Sequence, residues 1–457
     1  MTHVDHIQGK MARPIGVAKL GYPQLIACVA LLAVLCVSLP NLSDPMIRFD
    51  DYPAYFADPP HFYMKTLSEG RWVNYWWHLR GFVTPSWVNF ALYQVLWAAF
   101  AASVAYSAMR SDQERMFGPI LAVIIIVAPP ATMISLWFNT LLPGLGLVAL
   151  YAVLGVVFSQ SLHRALLPPF VIAGFMAYTT YPLLLLTVCL VCTKQRSWKD
   201  LAGLIALFVL SFSAALMVAD WRYYHAHGVC GIQLSDWREA NGAANIGDAM
   251  SNFPVALDSF RTFLSNSSYA FPPVAVFHLL MLAISIGVLA RNSASEALYL
   301  GGGLLLGLVF ITLQCLKTGA VAPNRAFVFA WVIYAILVVR SAQILCSQEG
   351  LVSRLAKNSV FLILGLYVMQ TFVQYSSYRD WQIQTRNIFE RTPYLAQPLF
   401  VNGDVVNMTS AKKANIQDPL ALVFRAQQLG VSNVVLCSSD TSECEGTVEV
   451  QINLDDL

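Results

Sequence analysis

Two adjacent carboxylates, Asp50 and Asp51, follow shortly after the first long apolar run of this 457-residue chain. A carboxylate held beside an incoming hydroxyl group can take its proton, so either residue is a candidate catalytic general base. The structural alternative is helix capping, with Asp51 as the N-cap and Pro53 in the first turn. Because one Asp is enough for a cap, the pair favours chemistry.

The segment that contains this pair also carries polar side chains suited to binding a substrate. Glu69, Arg71, Trp72 and His61 are candidate substrate-binding residues. The segment is rich in aromatic rings, which are typical of the membrane interface. Some of them could instead provide a stacking surface for sugar rings.

The aromatic residues between 72 and 79 have a helical spacing. Trp72, Tyr75, Trp76 and Leu79 recur at intervals of three and four residues. This spacing predicts an amphipathic helix that lies on the membrane surface.

Further basic residues lie later in the sequence. Arg222 and the turn from Lys317 to Arg325 are candidate substrate-binding positions, and the Arg325 guanidinium could hold a phosphate. The alternative for Arg325 is a charge that anchors the end of a span. We predict no metal site, because His225 and His227 are two residues apart and have no Cys or carboxylate at ligand spacing.

Composition places these residues on a membrane scaffold. The chain is 57% hydrophobic and 12% charged, whereas a soluble domain has about 25% charged residues. We predict an all-α polytopic membrane protein with about eleven spans of roughly 20 residues. The predicted spans are 20–40, 87–109, 117–138, 141–159, 165–180, 182–193, 201–219, 273–290, 298–316, 326–345 and 359–377.

The Lys and Arg residues between spans predict the orientation. They recur in alternate connections, which places the N-terminus in the cytoplasm and the C-terminus outside. The first apolar run lacks a small-residue cleavage site and is interpreted as an anchor rather than a signal peptide. The loops 41–86 and 220–272 then lie outside with the tail. No acidic or basic residue lies in the apolar cores of the spans, which argues against an ion-coupled pump.

The C-terminal region has a different pattern. We predict a transmembrane domain over 1–378 and a small α/β domain over 379–457, with a helix at 418–429 and strands at 431–436 and 447–454. Of the nine cysteines, Cys437 and Cys444 lie in this tail and can pair in an oxidising compartment.

Gly301-Gly302-Gly303 lies inside a span and predicts close helix packing.

The sequence resembles the GT-C membrane glycosyltransferases, which carry an acidic pair at the start of the first extracytoplasmic loop. FDDY at 49–52 and EGRW at 69–72 are similar to the Gtr-type glucosyltransferases that modify bacterial O-antigen. The resemblance implies a GT-C-like fold and a location in the bacterial inner membrane. It implies that Asp50 or Asp51 is the general base.

The resemblance also implies the reaction and its partners. The donor is an undecaprenyl-phosphate-linked sugar, expected to be glucose, and the acceptor is a lipid-linked or lipopolysaccharide glycan such as O-antigen. The anomeric carbon is inverted, and no cofactor is expected. Further expected partners are the bilayer, a donor-synthesising transferase and a flippase. The net charge of +2 gives no reason to expect a nucleic acid.

The sequence also allows two alternative functions. An O-antigen polymerase or ligase would place key residues in a large later loop, and 220–272 is large enough for that. A lipid or glycan transporter would not need Asp50 and Asp51 for its activity.

Overall fold

The computed structural model describes residues 21–109, 115–232, 238–348, 350–390, 399–437 and 451–453. Within these ranges the chain is mostly helical. The helices of the first half are α1 (Tyr22–Leu42), α2 (Tyr52–Tyr55), α3 (Pro59–Glu69), α4 (Trp72–His78), α5 (Ser86–Ala108), α6 (Phe117–Ile126), α7 (Pro129–Ile134), α8 (Phe138–Val157), α9 (Gln160–Ala165), α10 (Leu167–Ala177), α11 (Tyr181–Cys192) and α12 (Trp198–His227).

The second half continues in the same way and ends in a region that contains strands. Its elements are α13 (Ile246–Ser251), α14 (Phe253–Ser267), α15 (Pro272–Asn292), α16 (Ala294–Thr318), α17 (Val328–Cys346), α18 (Leu351–Ser377), α19 (Arg379–Glu390), β1 (Leu399–Asn402), α20 (Thr409–Lys413), α21 (Leu420–Gln428), β2 (Val434–Cys437) and β3 (Gln451–Asn453). Short 3₁₀ turns lie at Phe49–Asp51, Ser135–Trp137, Asn324–Phe327 and Val405–Asn407.

The polytopic all-α architecture predicted from the sequence is confirmed. In the described part of the chain, eight helical stretches are long and apolar enough to cross a membrane, and three shorter apolar helices (α6, α10 and α11) accompany them. Each predicted span corresponds to one of these elements. The predicted span 117–138 is not continuous, however, because α6 ends at Ile126 and Pro129-Pro130 begin a new helix. Proline is favoured in a first helical turn and cannot donate a backbone hydrogen bond in the middle of a helix.

The short helices α10 and α11 form the bent pair expected around Tyr178–Pro182. Tyr178 ends α10 in an extended conformation, and Pro182 lies in the first turn of α11. Asn74 of α4 donates a 2.7 Å hydrogen bond to the Ala177 carbonyl group at this bend. The first loop is thereby held against the bundle.

Helix α17 lies in the middle of the bundle, because most of its side chains are buried. Close packing in the Gly301–Gly303 stretch is confirmed at one of its glycines. A Cβ atom on Gly303 would collide with the Leu190 side chain, whereas a Cβ on Gly301 would have no neighbour within 4 Å.

The C-terminal region has the α/β character predicted for it. Its three strands are parallel in the order β2-β1-β3, and α21 and β2 agree with the predicted helix and strand. Strand β1 was not predicted. Cys437 is disulfide-bonded, and its predicted partner Cys444 lies outside the described residues. The division of the chain at residue 379 stays a prediction.

Candidate functional site

Asp51 belongs to the turn Phe49–Asp51, and its completely buried side chain lies against the N-terminus of α8. Its carboxylate accepts hydrogen bonds from the Asn139 backbone N–H (3.0 Å), the Asn139 side-chain amide (2.9 Å) and the Thr140 backbone N–H (2.7 Å). The first amides of a helix have no partner within the helix and favour a negative charge. Asp51 therefore holds the first loop against α8, and its side chain does not cap its own helix α2.

Burial also changes the acidity of Asp51. Removal from water raises the pKa of its carboxyl to about 7, although the hydrogen bonds from Thr140 and Asn139 act in the opposite direction. A buried carboxyl group of this kind has no open path to an incoming hydroxyl group. This geometry favours a positioning role for Asp51.

Asp50 is half-buried and is held by side chains from two other segments. Its Oδ1 atom accepts a 2.7 Å hydrogen bond from the Trp137 indole N–H. The Lys65 ammonium donates a 2.6 Å hydrogen bond to the Asp50 carbonyl oxygen. The carboxylate is oriented through one oxygen and is partly accessible, which is what a general base requires.

Two arginines pack against the same indole that orients Asp50. The guanidinium carbon of Arg325 lies 4.4 Å from the Trp137 ring centroid, and that of Arg48 lies 5.5 Å from it. Arg325 is presented by the turn Asn324–Phe327, which follows Pro323. The Arg48 backbone N–H donates a 3.4 Å hydrogen bond to the Leu136 carbonyl group. A candidate base and two cations therefore meet at Trp137.

A second group of charges surrounds Glu69 at the end of α3. The carboxylate pairs with Arg71 Nε and with an Arg238 Nη2 atom, both at 2.7 Å. The Arg71 guanidinium also lies 5.2 Å from the Tyr178 ring centroid. Burial opposes ionisation of Glu69, but the charges of Arg71, Arg238, Lys65 and Arg325 outweigh it and hold the pKa of this carboxyl below its usual value.

The two groups of charges act on each other. Burial lowers the pKa of the Arg48 guanidinium, and the positive charge of the nearby Arg325 lowers it further. The negative charge of Asp50 acts in the opposite direction and raises it. Burial also lowers the pKa of Arg238, and the charges of Arg71 and Arg325 add to that effect. Crowded and partly desolvated guanidinium groups are stabilised by a multivalent anion. We call Arg48, Lys65, Arg71, Arg238 and Arg325, with Asp50 and Glu69, the charged cluster.

Of the sequence-predicted site residues outside this cluster, Trp72 and Arg222 contact each other. Trp72 is fully buried, and the guanidinium carbon of Arg222 lies 4.6 Å from its ring centroid. This burial corrects the expectation that Trp72 lies on the membrane surface, although Trp76 and Leu79 are exposed. A buried indole is not available to stack on a sugar.

Lys317 and His61 have local structural contacts. The Lys317 ammonium donates a 2.9 Å hydrogen bond to the Ala243 carbonyl group and so holds the second loop. His61 is exposed in the first turn of α3, and its backbone N–H donates a hydrogen bond to the Asp58 carboxylate.

The C-terminal region contacts both sides of the acidic pair. Arg48 donates a 2.5 Å hydrogen bond to the Asn415 carbonyl group, and Tyr52 stacks on Phe424 with ring centroids 5.4 Å apart. Nearby, the buried Arg425 pairs with Asp44 at 2.5 Å. The tail thereby fixes the backbone that carries Asp50.

Trp137, Arg48 and Arg238 were not predicted as site residues. Trp137 ends a predicted span, where an indole is normally attributed to the membrane interface. The charges of Arg48 and Arg238 were visible in the sequence, but their convergence depends on contacts between segments far apart in the chain. Within the described ranges, no group of three or more His, Cys, Asp or Glu side chains is placed to hold a metal ion.

No family model and no curated protein matches this chain. Among solved structures, it is similar to ArnT from Cupriavidus metallidurans bound to undecaprenyl phosphate. The TM-score is 0.42 and the identity 12%, over 96% of this chain and 91% of that chain. The apo state of the same protein gives a TM-score of 0.40 and 12% identity, over 95% and 90% of the two chains. Because the TM-score and the sequence identity are both low, the functional roles assigned below rest on the charged cluster itself.

Proposed function

We propose that this protein is an inverting glycosyltransferase that moves a sugar from a polyprenyl-phosphate carrier to a membrane-associated glycan. The observation that carries the proposal is the meeting of Asp50, Arg48 and Arg325 at Trp137. Transfer from a phosphate carrier needs a base for the acceptor hydroxyl group and cations for the departing phosphate. The charged cluster supplies both from one end of the helix bundle.

The reaction uses these residues in defined roles. The acceptor hydroxyl oxygen attacks the anomeric carbon while its proton passes to the Asp50 carboxylate. The bond between the anomeric carbon and the phosphate oxygen breaks, and its electron pair stays on that oxygen. Arg325 and Arg48 stabilise the polyprenyl phosphate that leaves. Attack from the face opposite the phosphate inverts the anomeric carbon.

Asp51, Glu69 and the tail position this machinery. Asp51 fixes the Asp50 backbone to α8, and Glu69 keeps Arg71 and Arg238 together between the first and second loops. The tail holds Arg48. In the finer form of the proposal the sugar is glucose and the acceptor is O-antigen, as the resemblance of FDDY and EGRW implies. The cluster then faces the periplasm, as the Lys and Arg residues between spans predict.

Mass analysis of surface polysaccharide tests this function. Cells with the wild-type protein should carry one added sugar per repeat unit, and cells with Asp50→Asn should lack it at equal protein level. Asp258→Asn changes an exposed carboxylate in α14 and is the matched control. Unchanged polysaccharide in Asp50→Asn cells would contradict the role of Asp50 as the base.

The polymerase or ligase alternative retains one supporting observation, the contact of Arg238 from the second loop with Glu69. The same mass analysis separates the two reactions. A polymerase or ligase changes the length or attachment of the whole polysaccharide, whereas the proposed transferase changes the mass of each repeat unit.

A further inference from the structure

A basic cavity lies at the end of the bundle opposite the charged cluster. Lys194, Arg196, Arg340, Ser293 and Ser295 are among the residues that line it, and its volume is about 340 Å³. Pockets for small molecules have volumes of about 300–1,000 Å³. Helix α16 separates the two ends, since it begins beside this cavity and ends at Thr318 beside the second loop. Its 25 residues span about 37 Å at 1.5 Å per residue.

Among the described residues that line the cavity, cations outnumber carboxylates. Glu296, which is 5% exposed, pairs with Arg340 Nε at 2.9 Å and lies 3.6 Å from an Arg196 Nη1 atom. Lys194 adds a third cation, so the described lining has three cations and one carboxylate. Glu296 keeps the two guanidinium groups together, but it cannot neutralise the cavity.

Hydrogen-bond donors in the cavity also suit an anion. Ser293 is the N-cap of α16, and its side chain makes no capping hydrogen bond. The free amides at the start of a long helix attract anions, and the hydroxyl groups of Ser293 and Ser295 add further donors. Burial lowers the pKa of Arg196, although Glu296 acts in the opposite direction. A desolvated cation beside a second cation gains stability from a bound anion.

The cavity lies where the ends of three apolar helices, α5, α16 and α17, meet. Ala108, the last residue of α5, lines it together with residues at the start of α16 and near the end of α17. Basic pockets between the ends of spans are typical binding sites for anionic lipid headgroups.

We propose that this cavity binds the phosphate group of an anionic molecule at the membrane surface, with an anionic lipid as the expected source. The site is separate from the charged cluster and does not depend on the proposed transferase activity. Lys194 and Ser295 contact the phosphate. Arg196, Glu296 and Arg340 form the ion-paired group that lines the cavity beside it.

Titration of phosphatidylglycerol into the detergent-solubilised full-length protein tests the proposal through the melting temperature. Phosphatidylglycerol should stabilise the wild type more than phosphatidylcholine does. Lys194→Gln should need about ten-fold more phosphatidylglycerol for the same shift, because it loses a direct hydrogen bond to a charged phosphate. Lys199→Gln, an exposed lysine at the same end of the bundle, should behave like the wild type.

A parallel titration with inorganic phosphate distinguishes the source of the anion. A shift with inorganic phosphate that depends on Lys194 supports the site and identifies a soluble anion as its ligand. Equal effects of Lys194→Gln and Lys199→Gln would overturn the proposal, as would equal stabilisation by phosphatidylcholine and phosphatidylglycerol. Each variant is compared with itself in the two lipids, so a change in its basal stability does not affect the result.

Discussion

Asp50 and Asp51 are neighbours in the chain but have different surroundings. Asp51 is enclosed by the first amides of α8, whereas Asp50 is half-buried beside Trp137, Arg48 and Arg325. The sequence could indicate the pair but could not rank its members. Their difference arises from Asn139, Thr140 and Trp137, which are more than eighty residues away in the chain.

The raised pKa of Asp51 predicts a dependence of stability on pH. The carboxyl has a pKa of about 7 in the folded protein against 3.8 in an unfolded chain. Between these values the folded state holds one more proton than the unfolded state, so stability falls as pH rises towards 7. The melting temperature of the wild type should therefore decrease from pH 5.5 to pH 8 relative to that of Asp51→Asn.

The comparison with Asp51→Asn isolates this one carboxyl group. His78, whose pKa burial lowers to about 3, titrates in the same way in both proteins. Parallel pH profiles for wild type and variant would show that Asp51 is ionised throughout this range.

Arg325 should contribute directly to phosphate binding. Loss of a hydrogen bond to a charged group costs about 1.5–3 kcal/mol. Arg325→Ala should therefore bind undecaprenyl phosphate roughly 10–100-fold more weakly than the wild type, as measured by titration of the purified protein. Arg261→Ala removes an exposed cation from α14 and should bind normally. Equal affinities for wild type and Arg325→Ala would exclude the phosphate contact.

At the scale of elements, hydrophobic runs predicted the helices well, since a lipid-length apolar segment has few alternatives to a helix. The break at Pro129-Pro130 was missed because the run remains apolar on both sides of it. Strand β1 was missed because Leu399–Asn402 is too short to show a periodic pattern. Helix packing at glycines depends on the facing residue, which a single sequence does not identify.

Two glycines of α16 should differ in their tolerance of alanine. A Cβ atom on Gly307 would lie 2.6 Å from the Phe329 Cζ atom, whereas one on Gly301 would meet no atom within 4 Å. Phe329 is 1% exposed, so its ring has little room to move. Gly307→Ala should lose about 1–3 kcal/mol of stability, as is typical of overpacking.

Gly301→Ala is the control on the same helix and should melt at or above the temperature of the wild type. The measurement is the melting temperature of both variants in detergent. A normal melting temperature for Gly307→Ala would show that α16 and α17 can separate at this point at little cost.

A buried ion pair contributes to the docking of the C-terminal region. Arg425 is 2% exposed and pairs with Asp44, which also contacts Arg386 at 2.8 Å. Removal of one member of a buried pair costs about 3 kcal/mol, and without Arg425 the Asp44 carboxylate would keep the more exposed Arg386 as its partner. Arg425→Ala should therefore make the region after residue 379 more sensitive to limited proteolysis.

Arg386→Ala removes another cation that contacts the Asp44 carboxylate, but the Arg386 side chain is 45% exposed. Exposed pairs contribute about 0–1 kcal/mol, so this control should resist proteolysis like the wild type. Equal sensitivity of the two variants would contradict the special role of Arg425.

At the scale of the whole molecule, segments far apart in sequence converge at one end of the helix bundle. Arg48, Trp137, Arg238 and Arg325 belong to four different connections, and Asn415 comes from the tail. The alternation of Lys and Arg between spans predicted that these connections share one side. It could not predict their contacts, because charge bias fixes the side of a loop but not the packing between loops.

We propose that Asp50 acts in the chemical step while the arginines bind the phosphate. The direct measurement compares single-turnover sugar transfer from a polyprenyl-phosphate donor by the purified wild type and Asp50→Asn, with undecaprenyl phosphate affinity measured in parallel. We predict that Asp50→Asn transfers sugar about 10²–10⁴-fold more slowly and binds undecaprenyl phosphate as the wild type does. Transfer at the wild-type rate by Asp50→Asn would show that Asp50 is not the general base.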